Sequence, residues 1–223
     1  MRKQLLLAIA LLMAAACGPA ARPAAPAGEP AGIIPLPAPT LAGQMSLETA
    51  LAQRRSVREF SARPLTEAEL GQLLWAAQGI TGGRGYRTAP SAGALYPLEV
   101  YVATADGLFH YEVDRHALAV VDRTDLRPAL YEAALRQAAV SRAPAVFVIA
   151  AVYERTAVKY GAERSPRYVH LEAGHATQNL LLQAVALELG AVPIGAFEDA
   201  GVQQALGLPA DQQPLYLIPV GQP

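Results

Sequence analysis

The chain has 223 residues, of which 52% are hydrophobic and only 17% are Asp, Glu, Lys or Arg, so one large domain can bury a sizeable core. Its formal net charge of -1 provides no overall field that would favour nucleic acid, and we predict no nucleic-acid partner. The single cysteine excludes an intramolecular disulfide.

Residues 1–17 are predicted to form a bacterial lipoprotein signal peptide. The basic start MRKQ precedes the apolar run LLLAIALLMAAA, which has about the length of a signal h-region and is too short to span a bilayer. Cys17 follows directly, and this resemblance implies that Cys17 is lipidated. We therefore expect a lipid-anchored protein in the bacterial cell envelope, facing outside the cytoplasm. A plain secretory signal that happens to contain a cysteine is the alternative.

Residues 18–45 are rich in Pro, Ala and Gly. Frequent proline blocks helix formation and favours extended backbone. This composition predicts a tether that joins the lipid anchor to a folded domain over residues 46–223.

Two helices are predicted at the start of this domain. Ser46 can cap a short helix over SLETALAQRR, and Thr66 with Glu69 forms a capping-box pattern before AELGQLLWAAQGI. The second helix has a core face made of apolar residues at helical spacing, namely Leu70, Leu73, Leu74 and Ala77.

An arginine cluster, RRSVREF, follows the first of these helices. Arg54, Arg55 and Arg58 offer rigid forks of donors, and Ser56 adds a hydroxyl at the same place, a combination that suits phosphate oxygens. The alternative is a solvated helix end whose arginines complement the helix dipole.

A long glycine-rich loop, TGGRGYRTAPSAGALYP, follows the second helix. It contains neither the GxxxxGK[ST] pattern of P-loop ATPases nor a GxGxxG that opens a helix after a strand. Ser91, Ala92 and Gly93 lie in a row, and such small residues let a flat ligand approach the backbone closely. An ordinary surface turn is the alternative.

The second half of the chain alternates strands and helices without regular βαβ order. LEVYVATA, GLFHYEV and ALAVV predict strands of a meander, APAVFVIAAVY a strand covered on both faces, and PLYLIPVG the last strand. Helices are predicted over residues 126–140, from Pro166 to Gly190, and after Asp199. We therefore predict an α+β fold with a central mixed sheet flanked by helices.

Polar residues with possible acid–base chemistry lie between the buried strand and the long helix. Lys159 and Tyr160, in AVKYGAERSPRY, can each act as acid or base once burial shifts the pKa, although a solvated loop is the alternative. His170 and His175 are five residues apart and would point some 140° from each other on a helix, so no metal site is predicted.

Four segments, taken together and in order, resemble the nitroreductase superfamily and, within it, the SagB-type dehydrogenase (azoline oxidase-like) branch. They are RRSVREF, APSAGALYPLEVYV, VKYGAERSPRYVHLEAGHATQNLLLQAVALELGAVPIGAF and PLYLIPVGQP. The resemblance covers nearly everything from about residue 46 to the end. It implies a nitroreductase-like fold and a homodimer that holds FMN at the interface between its subunits.

The resemblance also implies which residues bind FMN, in four groups along the chain: Arg54, Arg55, Ser56 and Arg58; Ser91, Ala92 and Gly93; Gln178 and Asn179; Pro193, Ile194 and Gly195. The first group would hold the phosphate end and the ring edge, and the second would contact the flavin from the partner subunit. The third would lie near the flavin on the long helix, and the fourth would pass its backbone near N5. Lys159 and Tyr160 match the pair that azoline-oxidising members use to abstract a proton.

The function implied by this resemblance is FMN-dependent oxidation of a small organic or peptide-derived substrate by hydride transfer to flavin N5. One alternative is an NAD(P)H-dependent nitro- or quinone reductase of the same fold, although NAD(P)H is scarce outside the cytoplasm. Another is an exported module that binds flavin without catalysis.

Overall fold

The computed structural model describes residues 32–223. The predicted signal peptide, with Cys17, and the first part of the predicted tether lie outside the described residues. None of the helices within residues 32–223 is long and apolar enough to cross a membrane.

The described residues form seven β-strands and seven α-helices. In chain order they are β1 (Ile33–Pro35), α1 (Leu47–Gln53), α2 (Glu67–Gln78), β2 (Leu98–Thr104), β3 (Gly107–Glu112), β4 (Ala117–Asp122), α3 (Arg127–Ala133), α4 (Ala138–Arg142), β5 (Ala145–Val152), α5 (Tyr153–Tyr160), α6 (Ser165–Ala186), β6 (Gly190–Ala191), α7 (Asp199–Leu206) and β7 (Gln212–Gly221).

The strands form one sheet in the order β1-β4-β3-β2-β5-β7-β6. This arrangement with its flanking helices confirms the predicted α+β class. The sheet was predicted to be mixed, yet every pair of these strands is antiparallel. Parallel pairing is seen in an isolated bridge between Ser56 and Ala191.

The segment before α1 belongs to the folded domain. Residues 33–35 pair with β4 as an edge strand, and the Leu36 amide donates to the His116 carbonyl at 3.1 Å. Farther on, the Thr40 amide donates to Gln72 Oε1 at 2.8 Å. The predicted tether is therefore in contact with the folded domain at residues 33–36 and at Thr40, whose backbone groups find partners in β4, at His116 and on α2.

The core lies on both faces of the sheet, and β5 contributes to each. Phe147 and Ile149 face the layer made by α2 and α6, whereas Val146 and Val148 face the side covered by α3, α4 and α7. Every residue of β5 is buried. The continuous apolar run of this strand is thus explained by cover on both faces, as predicted.

Helix starts agree with the predicted caps. The Ser46 hydroxyl accepts from the Thr49 amide at the start of α1. At α2, the Thr66 hydroxyl accepts from the Glu69 amide while the Glu69 carboxylate accepts from the Thr66 amide. This reciprocal pair satisfies amides that no helical carbonyl can reach.

Several predicted boundaries are wrong. The single helix expected over residues 126–140 is divided into α3 and α4, because Leu135 and Arg136 adopt left-handed φ angles of 55° and 57°. Residues 157–160 of the stretch AVKYGAERSPRY, for which a loop was the alternative, form the last turn of the helix α5. Asp199 is the first residue of α7 and not its cap.

Candidate active site

The arginine cluster runs beside the short strand β6. Its Val57 amide donates to the Ala191 carbonyl at 3.0 Å. A Cβ on Gly190 would lie only 2.6 Å from a Val57 methyl carbon, so this close approach requires glycine. The sequence-distant segments 54–58 and 190–195 are thereby held side by side.

The arginines of this cluster are not paired with carboxylates. Among residues 32–223, none of Arg54, Arg55 and Arg58 forms a salt bridge. Arg55 instead turns back on its own chain, donating to the carbonyls of Ala52 and Arg54 at 3.0 and 2.7 Å. Arg54 and Arg58 are therefore the better placed of the three to meet an anion, and Ser56 lies exposed between them.

The backbone of residues 193–195 leaves the sheet next to this cluster. Ile194 is anchored by two hydrogen bonds with Leu217, at 2.8 and 3.0 Å. Pro193 is half-buried and Gly195 is exposed, and no atom of the described part of the chain lies within 4 Å of the place where a Gly195 side chain would begin. A flat ligand could reach the peptide groups here without meeting a side chain.

The small-residue turn, residues 91–96, has a strained backbone. Gly93, Ala94 and Tyr96 all have positive φ, at 66°, 54° and 47°. The Ser91 hydroxyl closes the turn by accepting from the Tyr96 amide at 2.9 Å, and the Arg87 guanidinium lies 4.5 Å from the centre of the Tyr96 ring. Strain of this kind persists only where the surroundings enforce it, and it clusters at functional sites.

Lys159 and Tyr160 end α5 directly against this turn. A Cβ on Gly93 would lie 3.0 Å from Lys159 Nζ and 3.2 Å from the Tyr160 hydroxyl. The Tyr160 ring also packs on Tyr168, with 4.5 Å between ring centres. The predicted acid–base pair and residues 91–93 therefore form one cluster, with Ala92 exposed to solvent only in part.

The two predicted residues on α6 point in different directions. Gln178 is exposed. Asn179 is half-buried and donates to the Thr88 carbonyl at 3.2 Å, so it anchors the loop that leads into the turn. For both residues, contact with a cofactor stays a prediction.

Sequence reasoning missed a buried polar group behind the turn. Glu172, on α6, is 2% exposed. Burial raises the pKa of its carboxyl to about 7, against the opposing effects of Ser91, Arg87 and Gln78. The available signal was a carboxylate inside the otherwise apolar face of a buried helix.

A second polar cluster lies on the sheet. His110 contacts two carboxylates, Glu99 at 2.7 Å and Glu112 at 3.2 Å, and Arg155 also pairs with Glu99. Burial alone would lower the pKa of His110, but the bonds to these carboxylates raise it. Burial alone would raise the pKa of Glu99, yet His110 and Arg155 bring this pKa below the ordinary value.

The predicted cofactor-binding residues fall into two separate clusters in one protomer. Within residues 32–223, no hydrogen bond or salt bridge joins segments 54–58 and 190–195 to the cluster of Gly93, Lys159 and Tyr160. A cavity of about 470 Å³ between α5, α6, α7 and β7 contains the hydrogen-bonded pair Tyr153 and His170, and neither cluster lines it.

Comparisons with known proteins agree with this architecture. A profile of the nitroreductase family matches residues 51–222. A protein of Methanocaldococcus jannaschii named as a nitroreductase is 44% identical over 185 residues, covering 80% of this chain and 92% of that protein. The crystal structure of a protein from Ralstonia eutropha JMP134, also named as a nitroreductase, has a TM-score of 0.78 and 31% identity, covering 92% of this chain and 95% of that one.

A more distant relative is named for processing a toxin. The trifolitoxin-processing protein of Rhizobium leguminosarum bv. trifolii is 32% identical over 120 residues. The match covers 49% of this chain and 32% of that protein, so this chain corresponds to about a third of its length.

Proposed function

Because the chain belongs to the nitroreductase family, whose members are FMN-dependent oxidoreductases, we propose that it acts as a SagB-type dehydrogenase on a small organic or peptide-derived substrate. One observation carries this proposal. Lys159 Nζ and the Tyr160 hydroxyl converge on Gly93, an exposed residue of the small-residue turn.

The residues present suit FMN. Arg54 and Arg58 offer unpaired guanidinium groups to a phosphate, and this pairing of a fixed donor fork with an anion is strong. The open backbone at Gly195 and the turn at Gly93 can both approach a planar ring system. Different parts of the chain thus provide the contacts for the phosphate end and for the ring end of FMN.

Nitroreductases are generally homodimers, and a dimer would combine the two clusters. We propose that the arginine cluster of one subunit and the turn of its partner enclose the same FMN. Exposed apolar side chains on the packed helices α1 and α6 suit such a contact: Leu47, Leu51 and Leu171 are 60%, 52% and 55% exposed.

Bound FMN supplies the hydride acceptor, N5 of the flavin. The protein has to position the substrate and take the proton that leaves with the hydride. Tyr160, held by its packing on Tyr168, is placed to accept that proton, and the Lys159 ammonium lies beside it, 5.6 Å from the centre of the Tyr160 ring. Oxygen or a quinone-like acceptor would then take the two electrons and restore the oxidised cofactor.

Replacement of Tyr160 tests the mechanism. Tyr160→Phe should keep FMN bound, because only the hydroxyl is removed, and should abolish oxidation of an azoline-containing peptide to the azole. Tyr168→Phe is the matched control, since it removes a hydroxyl from the ring that packs on Tyr160. Unchanged turnover by Tyr160→Phe would remove Tyr160 from the mechanism, and a protein that takes up no FMN would refute the enzyme as proposed.

An NAD(P)H-dependent nitro- or quinone reductase is the second candidate, favoured by the 44% identity to a protein named as a nitroreductase. Rapid NADH or NADPH oxidation with a nitroaromatic or quinone acceptor, unaffected by Tyr160→Phe, would identify this function. FMN binding without turnover in either assay would identify a non-catalytic flavin-binding module.

We also propose that the protein is lipid-anchored at Cys17 in the cell envelope. The support is the order of basic start, apolar run and cysteine in the first 17 residues. Metabolic labelling with a fatty acid should mark the wild type and not Cys17→Ser. Equal recovery of both proteins in the cytoplasm, without label, would contradict the proposal.

A further inference from the structure

The carboxyl of Glu172 lies buried behind the small-residue turn with its hydrogen-bonding capacity unfilled. Among residues 32–223, its Oε1 finds no hydrogen-bond partner, and neither does the buried Nε2 of Gln78 from α2. The Ser91 hydroxyl and the Gln78 amide are close enough to favour the charged form of Glu172. A buried carboxyl in this condition is energetically costly, and such groups are found where they have a functional part to play.

Each polar neighbour of Glu172 has a donor free for its carboxyl. The Ser91 oxygen already accepts from the Tyr96 amide at 2.9 Å, which leaves its hydroxyl proton for the carboxyl. Gln78 Oε1 already accepts from Arg87 at 2.9 Å, which leaves its NH₂ group. An ionised carboxylate can accept from both donors at once, whereas a protonated carboxyl adds a third donor that competes with them for the remaining lone pairs of Ser91 and Gln78.

We propose that Glu172 is a positioning residue whose ionised carboxylate holds the turn of residues 91–96 in its cofactor-contacting shape, so that FMN binding releases the Glu172 proton. The inference rests on the proposed FMN site. The carboxylate orients Ser91, Ser91 closes the turn at Tyr96, and the turn places Gly93 against the acid–base pair.

The electrostatic surroundings allow this proton to leave near neutral pH. Burial raises the pKa of Glu172 to about 7, and the charged group that faces it is Arg87, from the loop between α2 and β2. The facing side chains of α2 and of the turn, Gln78 and Ser91, are neutral. FMN binding that directs both donors more closely at the carboxyl would lower its pKa further, and FMN affinity would then increase as pH rises.

Flavin titrations across pH test the inference with wild type, Glu172→Gln and the exposed control Glu163→Gln. The wild-type Kd for FMN should fall as pH rises through about 7, by about tenfold for each unit by which binding lowers the Glu172 pKa. Glu172→Gln should lack this decrease of the Kd with pH, and Glu163→Gln should keep it. Riboflavin should show the same difference between wild type and Glu172→Gln. Because riboflavin has no phosphate, this result would separate the titration of Glu172 from ionisation of the FMN phosphate near about pH 6.

Calorimetry in two buffers of different ionisation enthalpy provides a test that needs no variant. Riboflavin binding to the wild type near pH 7 should release a fraction of a proton. Absence of that release, or parallel pH profiles for wild type and Glu172→Gln, would overturn the role of Glu172 while leaving FMN binding intact. Failure of the wild type to bind FMN at any pH would instead refute the proposed function and this inference together.

Discussion

Substitution of Gly93 by alanine probes the contact between the turn and the acid–base pair. The residue has a φ of 66°, and its added Cβ would lie 3.0 Å from Lys159 Nζ, 3.1 Å from Lys159 Cδ and 3.2 Å from the Tyr160 hydroxyl. The left-handed conformation costs about 1–2 kcal/mol for a residue with a Cβ. At about 2–4 °C per kcal/mol for a domain of this size, the Tm should fall by roughly 2–8 °C.

Gly207→Ala is the matched control for that backbone cost. Gly207 has a φ of 61° at the end of α7, and nothing lies within 4 Å of where its Cβ would be. The Tm of Gly207→Ala should fall by an amount similar to that of Gly93→Ala. The methyl group added by Gly93→Ala also has to displace Lys159 and Tyr160. Of the two variants, only Gly93→Ala should therefore lose activity, by about 100-fold if those groups shift by about 1 Å.

Thermal unfolding and steady-state oxidation of an azoline peptide, both with saturating FMN, measure the two effects separately. Equal activity of the two variants per folded, FMN-loaded protein would refute the inferred coupling between the turn and the pair. A loss of activity in Gly207→Ala as large as in Gly93→Ala would show that backbone destabilisation alone explains the effect.

Three further changes test other parts of the structure. Arg54→Ala should weaken FMN binding roughly ten- to a hundredfold, and riboflavin binding much less, because a charge-assisted phosphate contact is lost. The control Arg136→Ala, outside both clusters, should change neither Kd in fluorescence titrations. Thr66→Ala should lower the free energy of unfolding by about 1 kcal/mol in urea, because the α2 cap is lost. The pKa of His110 is raised above 6.5 on folding, so its stabilising pairing with Glu99 is fully present below pH 6.5 and is lost as pH rises through the raised value. The Tm of the wild type should therefore exceed that of His110→Gln most near about pH 6 and approach it near about pH 9, and a constant difference would contradict the pairing.

Prediction from sequence succeeded where local chemistry decides the structure. Thr66 and Glu69 form the capping box that starts α2, and the continuous apolar run of β5 is typical of a strand covered on both faces. The helix α5 was missed because its buried side relies on Thr156 and half-buried tyrosines instead of leucines. The break at Leu135 and Arg136 has no residue-level signal, since left-handed backbone is unusual for either residue.

The sequence by itself determined the kinds of groups available, including the arginine cluster, the small-residue turn and the Lys159–Tyr160 pair, because motif chemistry is a property of residue type and order. Only the tertiary structure decided which of these groups meet. It placed Gly93 against the end of α5, paired Val57 with Ala191, and put Glu172 out of reach of water behind the turn. Contacts between distant segments and the pKa of a buried carboxyl depend on the path of the folded chain and on desolvation, and neither is a property of a local stretch of residues.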